Sequence, residues 1–112
     1  MKAFVVTAPK TFEIQDVAEP KAGPGELVAQ IERVGICGTD VEFFYGVMPY
    51  LHDGQAKLPM RLGHEWSGTV IEVGEGVDKS LLGKKVTSDV MMGCGKCKRC
   101  HDGRQHTCAD RY

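Results

Sequence analysis

The sequence predicts a mostly-β domain: a partial barrel with one or two short helices and a protruding lobe that carries four cysteines. Three observations support this fold class. The 112 residues include 14 glycines and 5 prolines, which favours short strands and frequent turns over long helices. Apolar residues fall in short alternating runs, as in half-buried strands. Four of the 5 cysteines lie between positions 94 and 108. A chain of this length forms one domain at most.

Two apolar runs at the start of the chain predict a β-hairpin. Residues 3–7 are rich in Phe and Val, and residues 11–17 place Phe12 and Ile14 on one face after a short turn. The next segment, 20–25, is so rich in proline and glycine that it excludes a helix or a central strand. We therefore expect a hairpin followed by a loop.

The clearest strand covers residues 26–36. Its apolar side chains first alternate on one face and then change phase, in the order Leu27, Ala29, Ile31, Val34 and Ile36. Because the side chains of a strand alternate with a period of two, a change of phase indicates an extra residue in the strand. The sequence thus predicts a bulge or bend near Arg33.

A short helix is predicted over residues 40–45. Thr39 and Glu42 match a capping box, and Gly46 is a suitable residue to end the helix. Residues 46–60, which contain prolines and a further glycine, predict an exposed loop.

Two further strands complete the predicted sheet. One covers residues 66–73 and ends in a glycine turn at 74–76, and the other is flanked by Val86 and Val90. A closed barrel would need more strands to cover its edges. We therefore expect a partial barrel, and a chain that is a fragment of a longer protein.

The cysteine cluster is the most specific chemical signal in the chain. Its members follow the spacing C-x2-C-x2-C-x7-C and are Cys94, Cys97, Cys100 and Cys108. Four thiolates at such short intervals can form a tetrahedral shell around one zinc ion. With four thiolates available, the nearby His101 and His106 are expected not to be ligands.

Two other uses of these cysteines stay open. A disulfide framework is disfavoured by the odd total of 5 cysteines. It is also disfavoured because the chain opens with Met1-Lys2 and has no apolar signal segment, which predicts a cytoplasmic, reducing location. An iron–sulfur cluster is disfavoured because the fourth cysteine is too distant and is followed by Ala109 rather than proline.

A second group comprises Cys37 and the pair His64-Glu65. Cys37 stands just before the predicted helix. On spacing alone, a buried structural cysteine and an incidental loop histidine form the stronger interpretation.

The sequence around these residues changes that interpretation. The segments VGICGTD at 34–40, GHEWSG at 63–68 and GCGKCKRC at 93–100, with Cys108, resemble the signatures of zinc-dependent medium-chain dehydrogenases, the family of alcohol, polyol and threonine dehydrogenases. The resemblance covers the whole chain, in the family's order and spacing. It corresponds to the N-terminal part of such an enzyme.

The resemblance implies a fold and an activity. Residues 1–112 would form the N-terminal part of a GroES-like catalytic domain, with the structural zinc lobe at about 93–109. A Rossmann domain that binds NAD or NADP would lie outside this chain. The enzyme would oxidise a secondary alcohol or polyol to a ketone by hydride transfer, and it would form a homo-oligomer as the full-length protein. The isolated chain is expected to be inactive.

The resemblance also implies roles for single residues. Cys37 and His64 would bind a catalytic zinc, with Glu65 as a ligand or a close neighbour and another ligand from beyond the chain's end. Asp40 would orient the His64 imidazole, and Thr39 would accept the substrate's hydroxyl proton. The four clustered cysteines would hold a structural zinc.

Two segments depart from the family pattern or from a cofactor motif. Glu42 stands where many relatives have a relay histidine, so its role is open between capping and proton relay. The glycines at 74–76 lack the third glycine of a dinucleotide fingerprint and end a strand rather than open a helix. No cofactor-binding residue is therefore predicted in this chain.

Two alternatives of other classes remain. A zinc-ribbon-like module that binds nucleic acid or protein would use the basic residues of the cysteine lobe, and an iron–sulfur protein would carry electrons. The net charge of −1 predicts no broad basic surface for nucleic acid. No apolar run approaches the length of a membrane span.

Overall fold

A computed structural model describes residues 1–110, so the last two residues of the predicted 1–112 domain lie outside the described part. Its strands are β1 Lys2–Ala8, β2 Thr11–Asp16, β3 Leu27–Val34, β4 Met60–Arg61, β5 Trp66–Val73 and β6 Lys85–Val86. Its α-helices are α1 Gly38–Tyr45, α2 Pro49–His52 and α3 Lys98–His101. Two 3-10 turns cover Lys79–Leu81 and Gln105–Thr107.

The strands form two small antiparallel sheets, in the orders β2-β1-β4 and β3-β5-β6. The sheets do not close into a barrel within residues 1–110, as expected for a partial barrel. The mostly-β prediction and the N-terminal hairpin are confirmed. The described chain has three short α-helices rather than one or two, because the cysteine lobe contains a turn of helix of its own.

The pairing of β3 with β5 is the longest in the molecule. Its register shifts between Ile31 and Arg33, which confirms the predicted bulge, and shifts again between Val28 and Ala29. Gly68 faces this irregular stretch, where a Cβ atom would lie 2.4 Å from the carbonyl oxygen of Gln30. The close backbone approach explains why only glycine fits on the β5 side.

Helix α1 begins earlier than predicted. Cys37 is its N-cap residue, and the Asp40 carboxylate accepts a hydrogen bond from the Cys37 backbone N–H at 3.0 Å. The predicted capping box of Thr39 with Glu42 is therefore wrong, because both residues lie inside the helix. Gly46 ends α1 in the left-handed conformation, with φ of 74°, as predicted.

Two predictions about the connecting segments are also wrong. Residues 46–60 are not simply an exposed loop, since they contain α2 and the start of β4 at Met60, and Met48 is buried just before α2. The last strand is shorter than expected and ends at Val86, so Val90 lies outside it and is exposed.

The core of the described chain is small and leaves one apolar face uncovered. Its fully buried side chains are Val6 and Val70. The stacked rings of Phe4 and Phe12, with centroids 4.7 Å apart, are 43% and 52% exposed. They line an open groove of about 830 Å³ that also reaches Asp40. Exposed apolar surface of this kind is typical of surfaces that pack against other structure. Across residues 1–110, no helix has the length and apolar character needed to cross a bilayer.

Candidate metal centres

The four-cysteine lobe is built almost entirely from local structure. Cys97 is the N-cap residue of α3, Cys100 lies within α3, and the buried Cys108 follows the second 3-10 turn. The Cys94 backbone N–H donates to the Cys108 sulfur at 3.4 Å, which closes the lobe on itself. The short spacing that the sequence shows thus becomes a compact cluster.

The sulfur positions fit a tetrahedral metal. The Sγ–Sγ distances are 3.6 Å for Cys97 with Cys100, 3.8 Å for Cys97 with Cys108 and 4.0 Å for Cys94 with Cys100. Four sulfurs at a Zn–S distance of about 2.3 Å are about 3.8 Å apart in a regular tetrahedron. All five cysteines are free thiols, so nothing here supports the disulfide alternative. The group fits a structural zinc.

The thiol pKa values show why this cluster suits a cation. Hydrogen bonds from the backbone N–H groups of Lys96 and Cys97 lower the pKa of Cys94 to about 7. Burial raises the pKa of Cys100 to about 12. The Cys100 thiol would therefore stay protonated near neutral pH unless a bound cation balanced the charge of its thiolate.

Several charged side chains of the lobe form hydrogen bonds and ion pairs that hold its backbone together. Arg99 donates to the Thr107 carbonyl oxygen at 2.5 Å, which ties α3 to the turn before Cys108. Asp102 forms ion pairs with Lys98 and Arg104, each at 2.9 Å. These pairs neutralise part of the basic charge on which the nucleic-acid alternative rested. His101 and His106 lie outside the cluster of potential ligands, as predicted.

The second group is assembled from two separate segments of the chain. Cys37, His64 and Glu65 each offer one ligand atom, and these atoms lie within 4.8 Å of one another. Cys37 comes from the start of α1, whereas the other two precede β5. The Gly35 N–H donates to the Glu65 carbonyl oxygen at 2.7 Å and joins the segments. Cys37 and His64 therefore lie close together in the fold, contrary to the interpretation drawn from their spacing alone.

Asp40 connects the parts of this second group. Its carboxylate is buried, with only 8% of the residue exposed. One oxygen accepts from the Cys37 N–H at 3.0 Å, and the other accepts from the Gly63 N–H at 3.3 Å. The latter oxygen also lies 3.4 Å from Nδ1 of His64. The same carboxylate thus reaches both segments of the group.

Thr39 and Glu42 occupy different environments on α1. Thr39 lies half-buried in the first turn, and Glu42 is exposed. Since Asp40 rather than Thr39 makes the capping interaction, the Thr39 hydroxyl is not committed to the cap. Exposure of Glu42 gives no support to a role inside the site.

Two glycines of this site were not singled out from the sequence. Gly63 has φ of 109°, which only glycine adopts easily, and it presents its N–H to Asp40. Gly35 packs directly against Glu65. Both glycines lie within the quoted motifs, at 34–40 and 63–68, which was the available signal, but their contacts depend on the tertiary fold.

Residues 23–112 match the model of the alcohol dehydrogenase GroES-like domain family. The chain is 38% identical over 113 residues to L-threonine 3-dehydrogenase of Streptomyces avermitilis, with 96% of this chain and 31% of that protein covered. It is 36% identical over 114 residues to sorbitol dehydrogenase of Halalkalibacterium halodurans, with 99% and 32% covered. The chain thus spans about a third of the length of these relatives.

Solved structures agree with this assignment. The chain is similar to a zinc-dependent alcohol dehydrogenase from Streptococcus pneumonia, with a TM-score of 0.78, 34% identity and coverage of 98% of this chain and 30% of that one. It is also similar to an alcohol dehydrogenase from E. coli CFT073 complexed with NADH, with a TM-score of 0.82, 29% identity and coverage of 100% and 31%. The chain belongs to the GroES-like domain family of zinc-dependent medium-chain dehydrogenases, as its motifs predicted.

Proposed function

We propose that this chain is the N-terminal part of the catalytic domain of an NAD(P)-dependent dehydrogenase that oxidises a secondary alcohol or polyol to a ketone. The observation that carries the proposal is the Cys37, His64 and Glu65 group, which Asp40 connects. The dehydrogenase relatives and the NADH-bound neighbour support the reaction class. The Rossmann domain would lie outside this chain, and the uncovered groove beside Phe4 and Phe12 suits a chain that packs against further structure.

In this proposal, Cys37, His64 and Glu65 hold the catalytic zinc together with a ligand from outside the chain. When bound, zinc supplies Lewis acidity that lowers the pKa of an alcohol hydroxyl. Asp40 holds Nδ1 of His64, which leaves Nε2 as the ligand atom. The Thr39 hydroxyl would accept the alcohol proton and pass its own outward, and a nicotinamide bound outside this chain would supply the hydride acceptor.

The lobe has a different role in this proposal. Its four thiolates saturate one zinc and leave no position for substrate, so the lobe at 93–109 is structural. The partner of the whole enzyme is a small alcohol or polyol. The threonine and sorbitol dehydrogenase relatives favour such a substrate. A cytoplasmic homo-oligomer remains the prediction for the full-length enzyme.

Metal stoichiometry tests the proposed site. We expect two zinc ions per wild-type chain and one in a Cys37→Ala variant, measured by elemental analysis after gel filtration. His106→Ala is the matched control, because it changes a potential ligand that lies outside both groups, and it should keep two ions. One zinc in both the wild type and Cys37→Ala would contradict the second metal site.

An activity assay of the purified chain tests whether it holds only part of the active site. We expect no reduction of NAD or NADP with alcohols, since the cofactor domain and a further ligand would lie elsewhere. Turnover by the 112-residue chain would contradict the proposal that it holds only part of the active site.

A further inference from the structure

Gly35 lies against the side chain of a proposed metal ligand. It follows the end of β3, and a Cβ atom added to it would lie 2.9 Å from Glu65 Oε2 and 3.2 Å from Glu65 Cβ. Real Cβ atoms rarely make such short contacts, because they fall inside van der Waals separation. The absence of a side chain at position 35 therefore creates the space that the Glu65 carboxylate occupies.

The backbone at this position does not itself require glycine. The glycines of this chain with a positive φ do not include Gly35. An alanine could therefore adopt the Gly35 backbone conformation and keep the hydrogen bond from its N–H to the Glu65 carbonyl oxygen. The steric consequence of the substitution falls on the Glu65 side chain.

The carboxylate in contact with Gly35 belongs to the same side chain that faces Cys37 and His64. One Glu65 oxygen lies within 4.8 Å of the ligand atoms of both residues. Glu65 is exposed, so the end of its side chain can rotate into solvent when it is displaced. A methyl group at position 35 would thus move the carboxylate oxygen out of the group, while its contact with Glu65 Cβ would require a shift of only a few tenths of an ångström.

We propose that Gly35 is a positioning residue for the metal site, because its missing side chain holds the Glu65 carboxylate beside Cys37 and His64. This inference rests on the proposed function of that group as a metal centre. It implies that the size of residue 35 decides whether Glu65 acts as a direct ligand or as a neighbour of the metal.

Cobalt binding to the full chain tests this inference. The lobe is first saturated with Zn²⁺, and Co²⁺ is then titrated into the wild type, Gly35→Ala, Glu65→Ala and the double variant. The charge-transfer band between the Cys37 thiolate and Co²⁺ reports binding. The visible ligand-field bands of Co²⁺ report its coordination number. Cys37→Ala supplies the baseline for any cobalt that enters the lobe.

We expect Gly35→Ala to weaken Co²⁺ binding about 10-fold, the lower end of the range for residues that orient a ligand. It should also change the ligand-field bands toward those of Glu65→Ala. Because Gly35 acts through Glu65, the double variant should bind no more weakly than Glu65→Ala alone. The matched control is Gly38→Ala, where an added Cβ meets no atom within 4 Å, and it should bind Co²⁺ like the wild type.

Three results would overturn the inference. Wild-type affinity and an unchanged spectrum in Gly35→Ala would show that the methyl group does not displace the ligand. Effects that add in the double variant would show that Gly35 acts by another route, and an unfolded Gly35→Ala would show that its role is in the fold. A wild type that binds no cobalt at Cys37 would instead reject the metal site itself, and the inference with it.

Discussion

The two metal groups of this chain are built in opposite ways. The lobe collects four thiols from positions 94–108, and the bonds that hold it together join residues within that same segment. The second group joins the start of α1 to the segment before β5, and it depends on one buried carboxylate, that of Asp40. A group of potential ligands can thus be assembled from one short segment, whereas the second group needs the surrounding fold to bring its members together.

The largest expected effect is the loss of a lobe ligand. We expect Cys97→Ser to reduce zinc affinity in the lobe by more than about 100-fold, because a direct ligand contributes more than an outer-shell residue. Amide hydrogen exchange should show that α3 loses protection while the β3–β5 pairing keeps it. Equal loss of protection in β3 and β5 would contradict local assembly of the lobe, since the lobe would then support the distant sheet. His101→Ala, a change outside the ligand cluster, is the control.

An intermediate effect is expected at Asp40. Removing its carboxylate leaves the Cys37 and Gly63 N–H groups without their acceptor. We expect Asp40→Ala to lower the free energy of unfolding by about 1–3 kcal/mol and to weaken metal binding at the second site by about 10–100-fold. Urea denaturation and the cobalt titration measure these two quantities.

The control for Asp40→Ala is Glu42→Ala, an exposed carboxylate on the same helix, with an expected change within about 0.5 kcal/mol. Zinc affinity of the lobe should not change in either variant. A parallel loss of lobe zinc in Asp40→Ala would show that the two groups are coupled, contrary to their separate construction.

The smallest effect is expected for an ion pair between β3, which leads to the second group, and β6, which leads to the lobe. Glu32 on β3 pairs with Lys85 on β6 and accepts a hydrogen bond from Thr69 at 2.6 Å. The hydrogen bond from Lys85, followed by that from Thr69, lowers the pKa of Glu32. A lowered pKa means that the pair stabilises the fold above the carboxyl's ordinary pKa and ceases to do so as pH falls through the lowered value.

We therefore expect Glu32→Gln to be slightly less stable than the wild type at pH 7. The difference should be small because Lys85 is 71% exposed. It should begin to shrink below a pH of about 4, near the ordinary pKa of a glutamate, and disappear as pH falls through the lowered value. Urea midpoints of both proteins at several pH values measure this, with Glu13→Gln on the outer strand β2 as the control. A difference that persists at low pH would show that the carboxylate charge is not its cause.

The sequence predicted most strands because their patterns are local. The hairpin and the strand at 66–73 followed from alternating side chains, and the bulge near Arg33 followed from a change of phase. The errors have different causes. The cap of α1 is a local contact between Cys37 and Asp40, and the sequence offered a competing local pattern in Thr39 and Glu42. The burial of Met48 and the early end of the last strand, which pairs with β5 over two residues, depend on the tertiary fold and not on a local pattern.

The sequence by itself determined the family and the lobe. Three motifs in register identified the family, and short loops between four thiols leave few ways to arrange them other than around one ion. The tertiary structure decided how Cys37 meets His64 and Glu65, how one carboxylate reaches both segments, and why residue 35 has no side chain. These relations arise only when β3 pairs with β5, because that pairing brings together segments that the chain itself keeps apart.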